Sequence, residues 1–386
     1  MTNLFKTLCF AAILIFAGGY AVIAQSNVKV YPTHWWTGMK NPKLQLLIYG
    51  PNVARGITGV STNSPGVEVV GNRVFENANY LAVDLVINNR ARPGKILLEF
   101  EGNTSTKNLS YELKARSPEN GRTRIRPVNA DDFIYLIMPD RFSNGDPSND
   151  RLPGYKDQSL DRTHVGHRHG GDLKGIENHI DYLQNLGVTT LWLNPVILND
   201  MPERTEHGYA FTDHYTVDPR LGGDAAYKSL SNALHKKGMK LIQDAVYNHV
   251  GTEHFLFKDL PDSTWFHFWP QFTQTTYKDQ VLMDPYAAAV DKKRMSDGWF
   301  VRQMPDVNQN NTYFANFLIQ HAIWSTEEFG LDGWRIDTYA YNDLEFMNRC
   351  NKALLDQYPR LHLFGETWVH GIPYMEIGRA SCRERV

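Results

Sequence analysis

A chain of 386 residues with 42% hydrophobic residues has the material for a large core and more than one domain, and its formal net charge of −2 does not suit a nucleic acid or an anionic membrane surface as partner. Aromatic residues make up 12% of it, nine tryptophans included, a level that fits either an aromatic-rich core or stacking against sugar rings. Its three cysteines, Cys9, Cys350 and Cys382, exclude a disulfide framework.

Residues 1–24 read as a secretory signal. Lys6 supplies the positive start, residues 8–16 the apolar run, and Val22, Ile23 and Ala24 the small-residue cleavage site before Gln25. The run is short and interrupted by Gly18 and Gly19, so the expectation is an exported protein, periplasmic or secreted, that leaves the membrane once the signal is removed. From 27 to 116, short alternating runs at 44–49, 67–70, 80–87, 96–100 and 109–113 are separated by Asn41-Pro42, Gly50-Pro51, Asn88-Asn89 and Arg92-Pro93-Gly94. That pattern predicts a small immunoglobulin-like β-sandwich. Within it Trp35 and Trp36 could touch sugar, but a place at a domain seam is the better reading. The polar residues 117–130 are read as a linker.

Beyond the linker, strand and helix alternate. Strands are predicted at 133–138, at 188–193, at 239–242, from 331 and from 361, with helices at 173–186, 226–237, 314–329 and 343–357. A long aromatic excursion occupies about 250–312. This rhythm implies a parallel barrel or a doubly wound sheet. Two of the strands end on carboxylates, in Gly333-Trp334-Arg335-Ile336-Asp337 and Phe364-Gly365-Glu366-Thr367-Trp368. Acids carried to the mouth of a barrel on neighbouring strands are the minimum equipment for cleaving a glycosidic bond: one attacks the anomeric carbon and the other handles the leaving-group proton. Arg335 lies one alternation before Asp337, so their side chains point the same way, and the guanidinium is expected to keep that aspartate ionised.

These two motifs, together with Asp244-Ala245-Val246-Tyr247-Asn248-His249, resemble three regions of the α-amylase family of glycoside hydrolases, in the family's order. Met304-Pro305-Asp306-Val307-Asn308 is similar to a further region that accompanies the cyclomaltodextrinase and neopullulanase branch. The resemblance covers about residues 28–375. It implies an α/β fold: a (β/α)8 TIM-type barrel over 131–376, incomplete with about five strands present, carrying a small inserted domain at about 250–312. The β-sandwich before it resembles a domain that in this branch often forms a homodimer and walls off the active site. For the site, the resemblance implies Asp337 as nucleophile and Glu366 as general acid, its pKa raised in a poorly solvated place between Phe364 and Trp368. A carboxyl separation of about 5–5.5 Å and retention of configuration follow from that pairing. It also implies a substrate site of Arg335, His249, Tyr209 and Asp244, with His249 on the sugar beside the scissile bond, Tyr209 stacked beneath it and Asp244 mostly in support.

A calcium loop is implied by Asn144, Asp146, Asn149 and Asp150 with Gly170 and Asp172, hard oxygen ligands whose plain reading is an Asx-rich turn. Asn248 is a weaker candidate for a separate calcium site. His164, His167 and His169 have no cysteine or carboxylate at ligand spacing and are read as solvated.

The function implied is a retaining hydrolase of α-1,4-glucosidic bonds, with α-1,6 bonds as a further candidate, acting on starch-derived oligosaccharides, cyclodextrins or pullulan. A glucanotransferase or isomerase would use the same two acids while excluding water. A non-catalytic carbohydrate-binding protein would have little need of Asp337, Arg335, Glu366 and His249 together. The third carboxylate that the family carries after a later strand is not found, and residues 377–386 read as foreign sequence. A barrel without its last strands exposes two parallel edges, so the chain is read as C-terminally truncated and inactive by itself.

Overall fold

A computed structural model describes residues 28–104 and 107–367. The signal segment, the 377–386 tail, Cys9, Cys382 and Trp368 lie outside the described residues. The first domain contains β1 (Lys29–Tyr31), β2 (Trp35–Trp36), β3 (Lys43–Tyr49), β4 (Ile57–Ser61), β5 (Val67–Val74), β6 (Tyr80–Ile87), β7 (Gly94–Gly102) and β8 (Asn108–Lys114). They form two four-stranded sheets, ordered β1-β3-β6-β5 and β2-β8-β7-β4. Alternation does the work: Leu46 and Val83 face one another in register on β3 and β6, and they share the buried interior with Leu98, Tyr111 and Leu113 of the opposite sheet. β5 continues past the predicted end at Val70 because the register shifts between Val69 and Gly71, a bulge that lets pairing resume on the far side. β1, β2 and β4 were not foreseen; strands of three, two and five residues leave too little period to read.

The second domain begins with β9 (Ile134–Ile137), α1 (Pro139–Phe142), α2 (Leu173–Glu177), α3 (Ile180–Asn185), β10 (Thr190–Leu193), the β11 (Ile197–Leu198) and β12 (Asp213–Val217) pair, α4 (Gly223–Lys236) and β13 (Lys240–Ala245). After α5 (Phe255–Lys258), α6 (Gln280–Met283) and α7 (Ala289–Asp297) come α8 (Thr312–Phe329), β14 (Gly333–Ile336), α9 (Leu344–Gln357) and β15 (His362–Gly365). Five parallel strands line up as β9-β10-β13-β14-β15. Each edge strand has one neighbour among the described residues. On β9 this leaves Ile134 and Leu136 36% and 47% exposed, where a closed barrel would bury them.

The single helix predicted at 173–186 is two. The His179 ring nitrogen Nδ1 lies 2.7 Å from the Gly175 carbonyl oxygen, and the His179 N–H donates to Ile176 instead, so the helical ladder breaks there. α8 starts where Asn311 Oδ1 accepts the N–H groups of Tyr313 and Phe314 and stops at Gly330, whose φ of +73° suits only glycine well. Thirteen of its eighteen residues are buried, as befits a helix held between the sandwich and the sheet.

The domain contact is polar and specific. Gln45 and Gln320 exchange two hydrogen bonds of 2.7 Å, backbone to amide in both directions. The linker is docked rather than loose: Ile125 and Val128 are buried, Arg124 donates to the Thr326 carbonyl at 2.9 Å, and the Arg126 N–H donates to Asp332 Oδ1 at 2.9 Å. Trp35 and Trp36 are buried at this seam. The His34 ring lies 4.9 Å from Trp36 and 5.4 Å from Trp324 of α8.

Glu328, at the end of α8, is gripped by His34 at 3.0 Å, Lys114 at 3.2 Å and Lys228. Burial by itself would raise its pKa, but His34, Lys228 and Lys114 hold it down to about 2. A depressed carboxylate contributes stability above its unfolded pKa, about 4.3, and loses it as pH falls toward 2. We therefore predict that Glu328→Gln is destabilised by about 2–3 kcal/mol at pH 7. Urea unfolding at stepped pH should show that difference flat above pH 5 and shrinking below it; a pH-independent difference would contradict the assignment.

Candidate active site

The parallel register builds the site. Asp244 on β13 pairs with Arg335 on β14, and Arg335 in turn with Phe364 on β15. One strand position further, the Asp337 N–H donates to the Ala245 carbonyl at 2.8 Å and the Glu366 N–H to the Ile336 carbonyl at 2.9 Å, so both acids leave the C-terminal ends of their strands. Arg335 is the hub. Its Nη1 donates to Asp337 Oδ1 at 2.8 Å and to both oxygens of Asp244 at 2.8 and 3.0 Å, while Nη2 lies 2.6 Å from Glu366 Oε2. A planar guanidinium that touches both Asp337 and Glu366 confines the two carboxyl groups to one small volume.

Three carboxylates around one guanidinium change the expected electrostatics. Burial pushes the Asp337 carboxyl upward, the charge of Asp244 adds to this, and Arg335 only opposes it. The expectation that Arg335 settles Asp337 as an anion is therefore corrected: the sequence brought Asp244 to the same site, but the weight of its charge on Asp337 comes from the facing register. Asp244 is also moved upward by burial, against Arg335. It is fully buried and its oxygens accept from Arg335, from Trp192 Nε1 at 3.1 Å and from Tyr209 Oη at 3.1 Å. It is buried outside the cavity lining and braces Arg335.

Glu366 accepts the Thr338 N–H at 3.1 Å. Its side chain is 24% exposed and β15 is half-buried along its length, so the poorly solvated setting expected for it is only partly formed among the described residues. Thr338 has φ +42° and ψ +52°, a left-handed conformation that β-branched residues avoid. The turn it makes aims its N–H at Glu366 directly after Asp337.

Asp337 and Glu366 open into a cavity of about 680 Å³. Tyr209 and His249 line it as expected, with Tyr277, Phe300 and Tyr341 as an aromatic wall and Arg204 and Lys278 at its charged places. His249 stacks on Phe300 at 5.0 Å, and burial lowers its pKa to about 3, so the imidazole is neutral. Its Nδ1 is 3.2 Å from Asn248 Oδ1, and Asn248 Nδ2 donates to buried Asp306 at 2.8 Å. The Asn248 amide thus pins the excursion against β13. Met304 to Asn308 acts in the same way: the Val307 N–H donates to the Asn248 carbonyl at 3.0 Å.

The sequence reading missed Trp192, Thr338, Tyr277, Phe300 and Tyr341. Trp192 carried a signal, since its alternation on β10 points it at the same interior, where its ring lies 5.1 Å under the Arg335 guanidinium. The three wall aromatics were visible only as an aromatic-rich excursion.

The proposed calcium ligands converge in part. Asn144 Nδ2 donates to Asp150 Oδ1 at 2.7 Å, and Asn149 Nδ2 to Asp172 Oδ2 at 3.4 Å. A Cβ built on Gly170 would meet Asp150 Oδ1 at 2.7 Å, so that backbone closes the cluster. The aspartates alone do not form an ion-holding group among the described residues. What fits a hard cation is the pair of buried amide oxygens, Asn144 Oδ1 and Asn149 Oδ1, which have no hydrogen-bond partner. The Asp146 side chain is turned away: its Oδ1 caps Ser148, and the residue is exposed. His164 and His167 stack on each other at 3.8 Å in a separate loop.

Comparison with known proteins agrees with this geometry. Residues 136–373 match the family model described as alpha amylase, catalytic domain, and residues 29–117 match the one described as cyclomaltodextrinase, N-terminal. Among curated relatives, neopullulanase 2 of Thermoactinomyces vulgaris is 31% identical over 238 residues, which are 61% of this chain and 38% of that protein. A cyclomaltodextrinase of Geobacillus thermopakistaniensis is 30% identical over 65% of this chain and 42% of its own length. The chain thus spans about two fifths of the length of these relatives. An α-amylase from Geobacillus thermoleovorans, solved in complex with acarbose, superposes with a TM-score of 0.53 at 30% identity, covering 65% of this chain and 50% of that one. With a catalytic-domain match over more than half of its length and the two acids on successive parallel strands, the chain belongs to the α-amylase family.

Proposed function

We propose that the protein carrying this chain is a retaining glycosidase that hydrolyses α-1,4-glucosidic bonds, with α-1,6 bonds as a second linkage, in starch-derived oligosaccharides, cyclodextrins and pullulan. The observation that carries this reading is the shared grip of Arg335 on Asp337 and Glu366 at one cavity. Glu366 gives a proton to the glycosidic oxygen as that bond breaks, and an Asp337 oxygen bonds to the anomeric carbon. Water, deprotonated by Glu366, then attacks the same carbon, which frees Asp337 and returns the proton to Glu366. His249, neutral and flat against Phe300, offers a hydrogen bond to the sugar beside the broken bond, and Tyr209 offers it a ring face.

Export through residues 1–24 and dimerisation through the β-sandwich belong to the same proposal. No helix among the described residues is long and apolar enough to cross a membrane.

The test is the anomer released by the polypeptide extended through its downstream reading frame. NMR should show the α-anomer first from cyclodextrin or maltotriose. A β-anomer, or no turnover, overturns the reading. Longer oligosaccharides at high substrate concentration would mark a transferase.

Calcium, held by Asn144, Asn149, Asp150, Asp172 and the Gly170 carbonyl, would supply local charge and order to the loop after β9. Added Ca²⁺ at about 100 times its Kd should then stabilise the chain by about 2.7 kcal/mol. Asn149→Ala should abolish the calcium-dependent rise in melting temperature; an equal rise in both proteins would count against the site.

A further inference from the structure

Three histidines that do not line the catalytic cavity meet out of water where the two domains touch. His214 of β12, His254 just before α5 and His321 of α8 are each at most 2% exposed. His214 Nδ1 lies 3.0 Å from His254 Nε2, and the His214 ring centre is 5.1 Å from that of His254 and 5.2 Å from that of His321. Phe211 and Phe317 close over His214. Phe255 stacks on His254 at 4.7 Å and on Tyr31 of β1 at 4.8 Å, which ties the cluster to the sandwich.

The hydrogen bonds fix where the protons sit. The Leu256 N–H donates to His254 Nδ1 at 3.1 Å, so the proton of the neutral His254 ring is on Nε2 and is given to His214 Nδ1. The His214 proton is left on Nε2, which is buried and has no partner among the described residues. A second proton on His254 Nδ1 would face the Leu256 N–H, and one on His214 Nδ1 would face the His254 Nε2–H. Neither ring can be charged without breaking a hydrogen bond. His321 Nε2 has the Ser325 hydroxyl at 3.1 Å and no acid beside it.

The groups around the rings give a charge no support. Asp213, next to His214 on β12, is taken by Tyr31 Oη and the Tyr215 N–H at 3.0 Å each and by Lys29 at 3.6 Å. Lys29 of β1 repels a charge on His254. Glu253 and Lys258, on either side of His254, pair with each other at 2.7 Å, and Tyr80 of β6 presents a neutral phenol to the Phe255 carbonyl. At the end of α8, Glu327 is taken by Arg116 and Glu328 by His34. Burial pushes all three imidazoles below their ordinary value, His254 and His321 to about 3. Rings held neutral in the fold but free to charge once exposed give stability that is full above about pH 6.5 and is lost as pH falls toward 3.

We propose that His214, His254 and His321 form an acid-sensitive latch, closed while the three rings are neutral, which on taking up protons parts β1 and α5 from β12 and α8. Its opening frees the turns that carry Tyr209 and His249. Phe211 and Gly251, joined by a 2.8 Å hydrogen bond, lie between those two residues and the latch.

The test is hydrogen exchange, read by mass spectrometry on the 386-residue chain at pH 7.5 and pH 5 and corrected for the intrinsic exchange rate at each. A ring that charges only in the open form raises the opening constant about 30-fold over that interval. Protection of β1, β12 and α5 should therefore fall at least about 30-fold, while β6 and β7 in the sandwich change less than about threefold. At pH 5 Glu328 is still ionised, so its own loss does not enter. His214→Asn and His321→Gln keep an amide where the ring nitrogen made its contact but cannot charge, and each should recover at least about tenfold of the lost protection. His164→Gln, at an exposed ring, should recover none. No selective fall in wild type, or a fall that both variants leave unchanged, overturns the proposal. Should either variant not fold, ¹⁵N NMR of the wild-type imidazoles decides. Rings that stay neutral until protection is lost support the latch, and rings that titrate near pH 6.5 with protection intact overturn it.

Discussion

Replacing Arg335 with methionine should lower the unfolding free energy of this chain by about 3–5 kcal/mol, because it removes one partner from a buried ionic cluster and leaves the others behind. Asp244 is fully buried and Asp337 nearly so; burial moves both carboxyls upward, and this guanidinium is the charge that opposes the shift in each. Without it, Asp244 keeps only the Trp192 and Tyr209 donors, and Asp337 keeps only a 3.4 Å contact to the Thr338 hydroxyl. The sign of the pH dependence follows. Carboxylates whose folded pKa is raised destabilise the fold above their unfolded pKa, and that penalty is relieved as pH falls through the folded value. The deficit of Arg335→Met should therefore be largest at pH 8 and shrink toward pH 5. Urea unfolding at both values measures it, and a deficit below 1 kcal/mol at pH 8 would mean that the cluster does not depend on Arg335. Arg335→Lys should recover little, since an ammonium cannot hold three carboxylates from one plane.

In the polypeptide that completes the barrel, Asp337→Asn and Glu366→Gln should each reduce kcat on maltodextrin by at least about 10³-fold, with little change in KM. The two differ in what rescues them. A nitrophenyl glycoside leaves without protonation, so Glu366→Gln should regain its first step on that substrate and accumulate the glycosyl intermediate as a burst. Asp337→Asn has no nucleophile and should gain nothing. Equal rescue of both variants, or of neither, would show that the roles are misassigned.

Much of this was legible because it is carried by local pattern. Arg335 and Asp337 are two residues apart on a strand, so period two alone puts them on one side, and the structure joins them at 2.8 Å. The sandwich and the long helices were likewise readable, since apolar spacing reports which face is buried, whereas the choice of a barrel over a doubly wound sheet came from the family resemblance. Local pattern failed where a distant group decided the outcome. Asp244 belongs to another strand, and only parallel pairing sets it against Arg335 and moves Asp337 upward. His179 broke a helix that its apolar spacing supported, because its ring competes for a carbonyl in the turn before. Asp146 looked equal to Asp150 as a ligand, yet a hydrogen bond to Ser148 turns its side chain outward.

The order of residues alone determined the two domains, the strand ends that bear Asp337 and Glu366, and the family. These rest on side-chain periodicity and contiguous motifs, which need no knowledge of what lies across the fold. The tertiary structure decided the rest: the charge balance around Arg335, the strained turn at Thr338 and the aromatic wall over the acids. Each depends on groups far apart in the chain meeting out of water, where burial and facing charges outweigh what any single neighbour in sequence can do.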